Sequence, residues 1–428
     1  MNLDLSTKVS FNKYRWIMWS AMALAFLVGF FHRYSLLVVV DTIGAELDLT
    51  GTQIGNLSSM YFYIYAIFQI PAGIMADTIG ARKLTSGGMF VAGVGAILFA
   101  VSNTLPGVYL GRLLVGLGVA GILICIMRVQ AIWFKPEEFA TLIGLSSLIG
   151  NSGGILATTP FALLVIALGW RSSFLMIAVV SLLLGIILWW LVRDRPEELG
   201  YEPLNPDDSE KQEGNFKQGF WHVIKQPNTW FCFLGLAGVL GVVMSFSSTW
   251  GVQYLMQVYG FSRDGAANYV LIFTLGVMAG SPVMGRVADK IGRRKPLIQL
   301  GAFVYALVWG IKVIGYESAP PEALLPFIYF IAGFFGVFLM LSHASVKESN
   351  PTRFTGTALS IINTAPFVGT IIANFLVGGI LDFTWTGILD NGVRFYELLS
   401  YHYALLGYFV LSLISFAATF FINDTRVK

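Results

Sequence analysis

Twelve long apolar runs dictate what this chain can become. They are centred on residues 16–40, 54–76, 84–103, 105–133, 140–166, 171–192, 229–257, 265–287, 297–315, 324–346, 355–381 and 402–422. About 20 apolar residues carry a helix across the hydrocarbon core. Inside that core each backbone N–H and C=O must be satisfied within its own segment, which leaves helices as the solution for runs of this length. Composition agrees: 56% of the residues are hydrophobic, 12% are charged, and the mean hydropathy is +0.72. No soluble fold of 428 residues hides that much apolar surface. The expected fold is an all-α membrane protein.

One long polar stretch interrupts the pattern, from Arg193 to about Lys225, carrying Asp207, Asp208, Glu210, Lys211 and Glu213. It divides the chain into an N-terminal six-helix bundle (1–192), a linker (193–226) and a C-terminal six-helix bundle (227–428). The first run is too long for the apolar region of a signal peptide and reads as a retained helix. Cys125 and Cys232 both fall inside runs, as small core residues rather than a disulfide pair. His32, His222, His343 and His402 are scattered, so neither a metal nor a cofactor is expected. Basic residues flank the runs without forming a groove-sized cluster, which argues against nucleic acid.

With the N-terminus placed in the cytoplasm, twenty-one of the twenty-seven Lys and Arg fall on the inner side. The remaining six are Arg33, Arg112, Arg171, Arg263, Lys312 and Arg394. That bias sets both termini inside, as expected of a cell (inner) membrane protein. The halves are also related to each other. GIMADTIGARK from Gly73 matches GRVADKIGRRK from Gly285, and WFKPEEF ending at Phe139 matches ESNPTRF ending at Phe354, in the same order and at equivalent positions. Internal repetition of this kind is how transporters are built.

Gly73-x-x-x-Asp77-x-x-Gly80-x-Arg82-Lys83 lies between the second and third runs. Gly285-x-x-x-Asp289-Lys290-x-Gly292-Arg293-Arg294-Lys295 lies between the eighth and ninth. Glycines allow a tight turn and close backbone approach, and a carboxylate there can meet the positive end of a helix. At these residues the chain resembles the major facilitator superfamily, whose signature loop is Gly-x-x-x-Asp-Arg-x-Gly-Arg-Arg/Lys. Thr78 and Ala81 replace the usual basic residues in the first copy, which thins its charge network. The resemblance covers essentially the whole chain. It implies twelve transmembrane helices in two pseudo-symmetric six-helix bundles, transport by alternating access, and a gating role for both loops.

Gly111-Arg112-x-x-x-Gly116-x-Gly118-x-x-Gly121 in the fourth run resembles a second family motif, and in relatives its arginine belongs to a polar network associated with coupling. Gly150-Asn151-Ser152-Gly153-Gly154 in the fifth run lacks the Gly-Pro pair that marks drug–proton antiporters. Its glycines read as packing. In this fold the central cavity is lined by helices 1, 4, 7 and 10, so their polar groups are the substrate clue. They supply His32 and Arg33, Arg128, His343, and the stretch Ser245, Ser247, Ser248, Thr249, Trp250 and Gln253, with no mid-membrane carboxylate. Arg33, Arg128, His343, Thr249 and Gln253 are the substrate candidates. Arg112 and His32 are the coupling candidates, with His32 or His343 as proton carrier. Cationic and hydrogen-bonding groups without acids suit a small organic anion or zwitterion.

Packing or snorkelling is the bland alternative for each of these side chains. An arginine in helix 1 resembles the organic-anion and organophosphate branches. The matching Ser/Thr stretch of helix 7, where organophosphate exchangers carry an arginine, favours a monocarboxylate, amino acid or dipeptide over a phosphate. Nitrate carriers place arginines in helices 2 and 8, which lack one mid-membrane here. A receptor or channel finds no sensor domain or acidic ring. An enzyme finds no nucleophile–base set. The expected partners are the bilayer, an anionic or zwitterionic small molecule and, as a candidate co-substrate, protons. A monomer is expected.

Overall fold

The computed structural model describes the backbone of residues 5–201, 216–314, 319–351, 354–390 and 393–424. The side chains of 5–10, 70, 77, 136, 137, 139, 140, 216–219, 289, 314, 355 and 356 lie outside that description. Among the described residues eleven helices are long and apolar enough to cross a membrane. They are helix 1 (Phe11–Val38), helix 3 (Ala81–Val101), helix 4 (Leu105–Trp133), helix 5 (Thr141–Leu168), helix 6 (Trp170–Leu191), helix 7 (Pro227–Tyr259), helix 8 (Arg263–Ala288), helix 9 (Lys295–Val313), helix 10 (Glu322–Ser349), helix 11 (Thr357–Phe383) and helix 12 (Leu398–Thr419). Helix 2, Gly51–Thr78, is the twelfth; its 28 residues make a rod about 42 Å long.

The runs and the helices agree to within a few residues, with local breaks in helices 1, 4, 5, 7 and 10. The first run is broken: its α-helix ends at Tyr34, a 3-10 turn follows over Ser35–Val38, and a separate helix covers Val40–Glu46. Three consecutive β-branched residues, Val38 to Val40, stiffen the chain at the break. Between helices 11 and 12 the connection carries a small ladder: Leu389–Asp390 (β1) pairs antiparallel with Val393–Arg394 (β2). The acid-rich part of the linker lies outside the described residues. The linker's described ends form a 3-10 turn, Pro196–Leu199, and a short helix, Phe216–Ile224.

Two compact units emerge, and they cut across the sequence halves. The first takes helix 1 as far as Arg33, helix 2 from Ile67, helices 3 and 4, most of helix 5, and helix 6. Its glycines let backbones touch. A Cβ on Gly111 of helix 4 would stand 2.7 Å from the Phe99 nitrogen of helix 3, and one on Gly118 would stand 2.5 Å from the Ala92 nitrogen. Small residues at this spacing are how helices associate in lipid. Gly150 packs on the Phe26 ring and Gly153 on the Leu27 carbonyl, so helix 5 lies directly on helix 1.

The second unit takes Tyr34–Ala66, Ala157–Leu163 and helices 7 to 12. The far end of helix 1 and the first half of helix 2 therefore belong with helices 7 to 12. Backbone proximity recurs there, with Gly241 of helix 7 against Gly369 of helix 11, and Gly276 of helix 8 against the Phe330 carbonyl of helix 10.

Candidate functional site

Helix 7 is α-helical to Ser245, turns through a π-helical segment over Phe246–Trp250, and resumes as α from Gly251. A π-turn inserts one extra residue and is found frequently at functional sites. Here it buries five consecutive side chains, Phe246 to Trp250. Ser245 donates to Oδ1 of Asn374 in helix 11 at 2.6 Å, which leaves Tyr408 of helix 12 to donate to Ser245, also at 2.6 Å. The amide of Asn374 donates to Ser59 of helix 2 at 3.3 Å, and Ser58 is in short hydrogen-bond contact with Thr249. Helices 2, 7, 11 and 12 thus meet in one polar node.

One turn beyond Thr249, Gln253 is 2% exposed, and neither atom of its amide has a hydrogen-bond partner. It lines a cavity of about 530 Å³ together with Asp41, Thr42, Arg263 and Asp390. The Arg263 guanidinium donates to the Val38 carbonyl, to Asp41 at 2.5 Å and to Thr42 at 2.9 Å. Burial pushes the Asp41 carboxyl above its ordinary range, against the pull of Arg263.

The same end of the second unit is closed by Asp382, near the C-terminal end of helix 11. Its two oxygens accept from the backbone N–H groups of Gly51 at 2.5 Å and Thr52 at 2.7 Å. Those are the orphan donors at the start of helix 2, where a helix presents its positive end. No side chain at Gly51 or Gly55 separates the helices. A Cβ on Gly55 would stand 2.6 Å from the Asn374 carbonyl, and one on Gly51 would stand 2.8 Å from the Gly378 carbonyl.

In the first unit the structure brings Arg112 and His32 together. Arg112 is 1% exposed and donates to the His32 carbonyl at 2.8 Å. The His32 ring meets Ser181 of helix 6 at 2.9 Å through Nε2. Ser181 gives its own proton to the Ile177 carbonyl, so Nε2 of His32 is the donor. Arg33 lies in the last turn of the α-helix, with its guanidinium 4.6 Å from the Phe30 ring centre. Arg128 is half-buried on helix 4. His343, in the second unit, turns back on its own helix and donates from Nδ1 to the Met340 carbonyl at 3.2 Å.

The two signature loops are built alike. Gly80 (φ +89°) and Gly292 (φ +70°) adopt backbone that L side chains avoid. Asp194, just past helix 6, lies against Gly80 and accepts from the Arg82 backbone N–H at 3.0 Å, capping helix 3. Arg82 reaches the Trp189 carbonyl at 2.7 Å, and exposed Lys83 borders a groove with Trp189 and Trp190. In the second copy Asp424, just past helix 12, pairs with Arg293 (2.7 Å from Nε), while Arg294 pairs with Glu348 of helix 10. The partners of Arg82, Arg293 and Arg294 thus lie within the same unit as each loop. The side chains of Asp77 and Asp289 lie outside the described residues. Gly73 and Gly285 face open space, so the expected close backbone approach does not occur at those two positions here.

Sequence reasoning missed three features. Helices 2 and 11 contribute Ser58, Ser59 and Asn374, although they are not cavity helices by family resemblance. Asp382 looks like an ordinary loop-side acid. Lys312 was placed among loop-end charges, yet it is 3% exposed inside the second unit. The available signal was its spacing from Ala302, Tyr305 and Trp309, all on one helical face.

The family model of the Major Facilitator Superfamily matches residues 22–272 and 241–428. The chain is 26% identical over 384 residues to the membrane sensor protein UhpC of Escherichia coli K12, covering 85% of this chain and 84% of that one. It is 24% identical to a probable hexose phosphate transport protein of Chlamydia trachomatis (89% and 88% covered) and 24% identical to the hexuronate transporter of Bacillus subtilis 168 (88% and 91% covered). Among solved structures, a bacterial homologue of the human lysosomal transporter Spinster superposes with a TM-score of 0.79 at 19% identity, over 95% of this chain and 97% of that one. A matched model spanning both halves, twelve helices and two signature loops make this chain a member of the Major Facilitator Superfamily.

Proposed function

We propose that the protein is a secondary transporter that moves a small organic anion across the cell membrane by alternating access, with both termini cytoplasmic. The observation that carries this reading is Arg33, a cation 5% exposed inside the first unit. A guanidinium fork binds a carboxylate bidentately. Relatives named for hexuronate and hexose phosphate support the anionic class, and the serine-rich turn of helix 7 favours a hydroxylated monocarboxylate over a phosphate dianion. Arg33 is the charge anchor. Arg128, His343, Thr249 and Gln253 complete the recognising set. Arg112 and His32 tie helix 4 to helices 1 and 6 so that coupling can pass between them. The two signature loops, through Asp77 and Asp289, bias the access state.

In this reading the cargo leaves chemically unchanged, the working unit is a monomer, and Asp382 with Arg263 holds the outer gate shut. The test is a thermal-stabilisation screen of purified protein against hexuronates, sugar phosphates, amino acids and dipeptides, followed by counterflow in proteoliposomes. Stabilisation by carboxylates with saturable counterflow is the expected result. Stabilisation only by organic cations would end the anion reading.

A second reading is favoured by the likeness to a membrane sensor protein. A sensor of this fold would bind the same anion and be stabilised by it without catalysing counterflow.

A further inference from the structure

Lys312 lies near the end of helix 9, and its ammonium points into the second unit. Its Nζ donates to the Tyr329 hydroxyl of helix 10 at 2.7 Å. Four rings surround it, with centres 4.1 Å (Tyr329), 4.9 Å (Tyr254), 5.2 Å (Trp309) and 5.5 Å (Phe246) away. Among the described residues no carboxylate pairs with it. The titratable groups facing this cage are phenols: Tyr254 of helix 7, Tyr329 of helix 10, Tyr269 of helix 8 behind Tyr329, Tyr305 of helix 9, and Tyr401 and Tyr408 of helix 12 against Tyr254 and Trp309.

A cation buried near the end of a span without a carboxylate partner is costly and is a functional candidate. Aromatic faces return part of that cost to an ammonium, and they give nothing comparable to a neutral amine. The cage is therefore a device that discriminates the two protonation states of one nitrogen. Its walls also straddle the π-turn of helix 7: Phe246 opens that turn and Tyr254 lies beyond it. Any change in the turn moves one wall relative to the other and alters how well the cage holds a charge. A lysine can exchange a proton in such a site, whereas an arginine keeps its own.

We propose that Lys312 is the proton-carrying group of the transport cycle. Nζ takes a proton from water on one side of the membrane, forming the caged ammonium and leaving hydroxide or neutral water according to the donor. It returns that proton to water on the other side, so the free amine is regenerated each turnover. The proposal rests on the carrier reading above.

The experiment uses full-length protein in proteoliposomes with labelled glucuronate as probe. Counterflow without a pH gradient tests the carrier reading alone, and accumulation under a one-unit gradient tests coupling. One carried proton gives about tenfold accumulation per pH unit. Wild type should accumulate the probe. Lys312→Met and Lys312→Arg should exchange it yet fail to accumulate it, and Lys312→Met should melt no lower than wild type in detergent. Tyr329→Phe, which leaves the lysine in place, should shift the pH of half-maximal uptake. Accumulation by Lys312→Met equal to wild type, or wild-type uptake that ignores the imposed pH gradient altogether, overturns the proposal while sparing the carrier reading. Absence of wild-type counterflow with every anion overturns both.

Discussion

Removing the negative charge of Asp382 should open the far end of the second unit. In Asp382→Asn the side chain keeps one acceptor, so one of the Gly51 and Thr52 N–H groups loses its partner and the other keeps only a neutral one. A hydrogen bond to a charged group is worth about 1.5–3 kcal/mol and a neutral one about 0.5–1.5. The charge–dipole term at a partly buried helix end adds up to about 2 kcal/mol. Arg394, 3.7 Å away, contributes little at that distance. Mid-range values, about 2.25 for the lost bond, about 1.25 for the weakened one and about 1 for the charge–dipole term, sum to about 4.5 kcal/mol from the closed state, or about 2,000-fold in its ratio to the open one. The assay is maleimide labelling of detergent-purified protein carrying Ser58→Cys, a position with no exposure in the closed arrangement, with and without Asp382→Asn. Cys125 and Cys232 are buried and give a silent background. The labelling rate should rise by the computed factor. Rates within about twofold of each other would refute the latch, since about 0.4 kcal/mol is below the loss of even one hydrogen bond to a charged group. Asp77→Asn and Asp289→Asn, at the other end, should slow the same labelling.

Arg33→Ala should weaken carboxylate binding by about 2–5 kcal/mol and Arg33→Lys by less, with melting temperatures preserved; unchanged affinity in the alanine variant would remove the anchor. Glu138 is a surface case with a definite sign. Desolvation raises its carboxyl, but the Lys135 backbone N–H and the Arg15 fork outweigh that and hold it below the ordinary 4.5. Its stabilisation is present above that value and disappears as pH falls through and below it. With 31% of the side chain exposed the pair is worth at most about 1 kcal/mol, so Glu138→Gln should melt slightly below wild type at pH 7 and level with it near pH 3; a gap that persists in acid would contradict this. Single cysteines at Leu389 and Glu197, both exposed, should label oppositely from outside intact cells, Leu389→Cys reacting and Glu197→Cys protected. Equal labelling would reverse the inside-N, inside-C topology.

The helices were legible because lipid imposes one rule on every residue of a span, and a run of apolar letters reports it directly. The signature loops were legible because Gly80 and Gly292 occupy backbone that only a turn of fixed shape requires. The site was legible in part. Arg112 and His32 fall together because each is a polar residue in a span that had to find a partner. Asn374 and Ser58 gave no such sign, since serine and asparagine are ordinary in membrane helices and their meeting depends on how helices 2 and 11 cross. Lys312 was misassigned for a related reason. Its sequence position, near the end of a run, is also where lysines snorkel, and only packing distinguishes a side chain turned inward from one turned out.

Helix 7 holds one residue more than an α-helix of its length accommodates. Were that surplus to relax, every residue beyond Trp250 would rotate by about 100° and advance by about 1.5 Å. Ser245 would stay bonded to Asn374 and Tyr408, because it precedes the turn. Gln253 would leave the wall of the outer cavity and Tyr254 would leave Lys312. A single-residue change of phase would thus rewrite both polar environments at once without requiring either bundle to move.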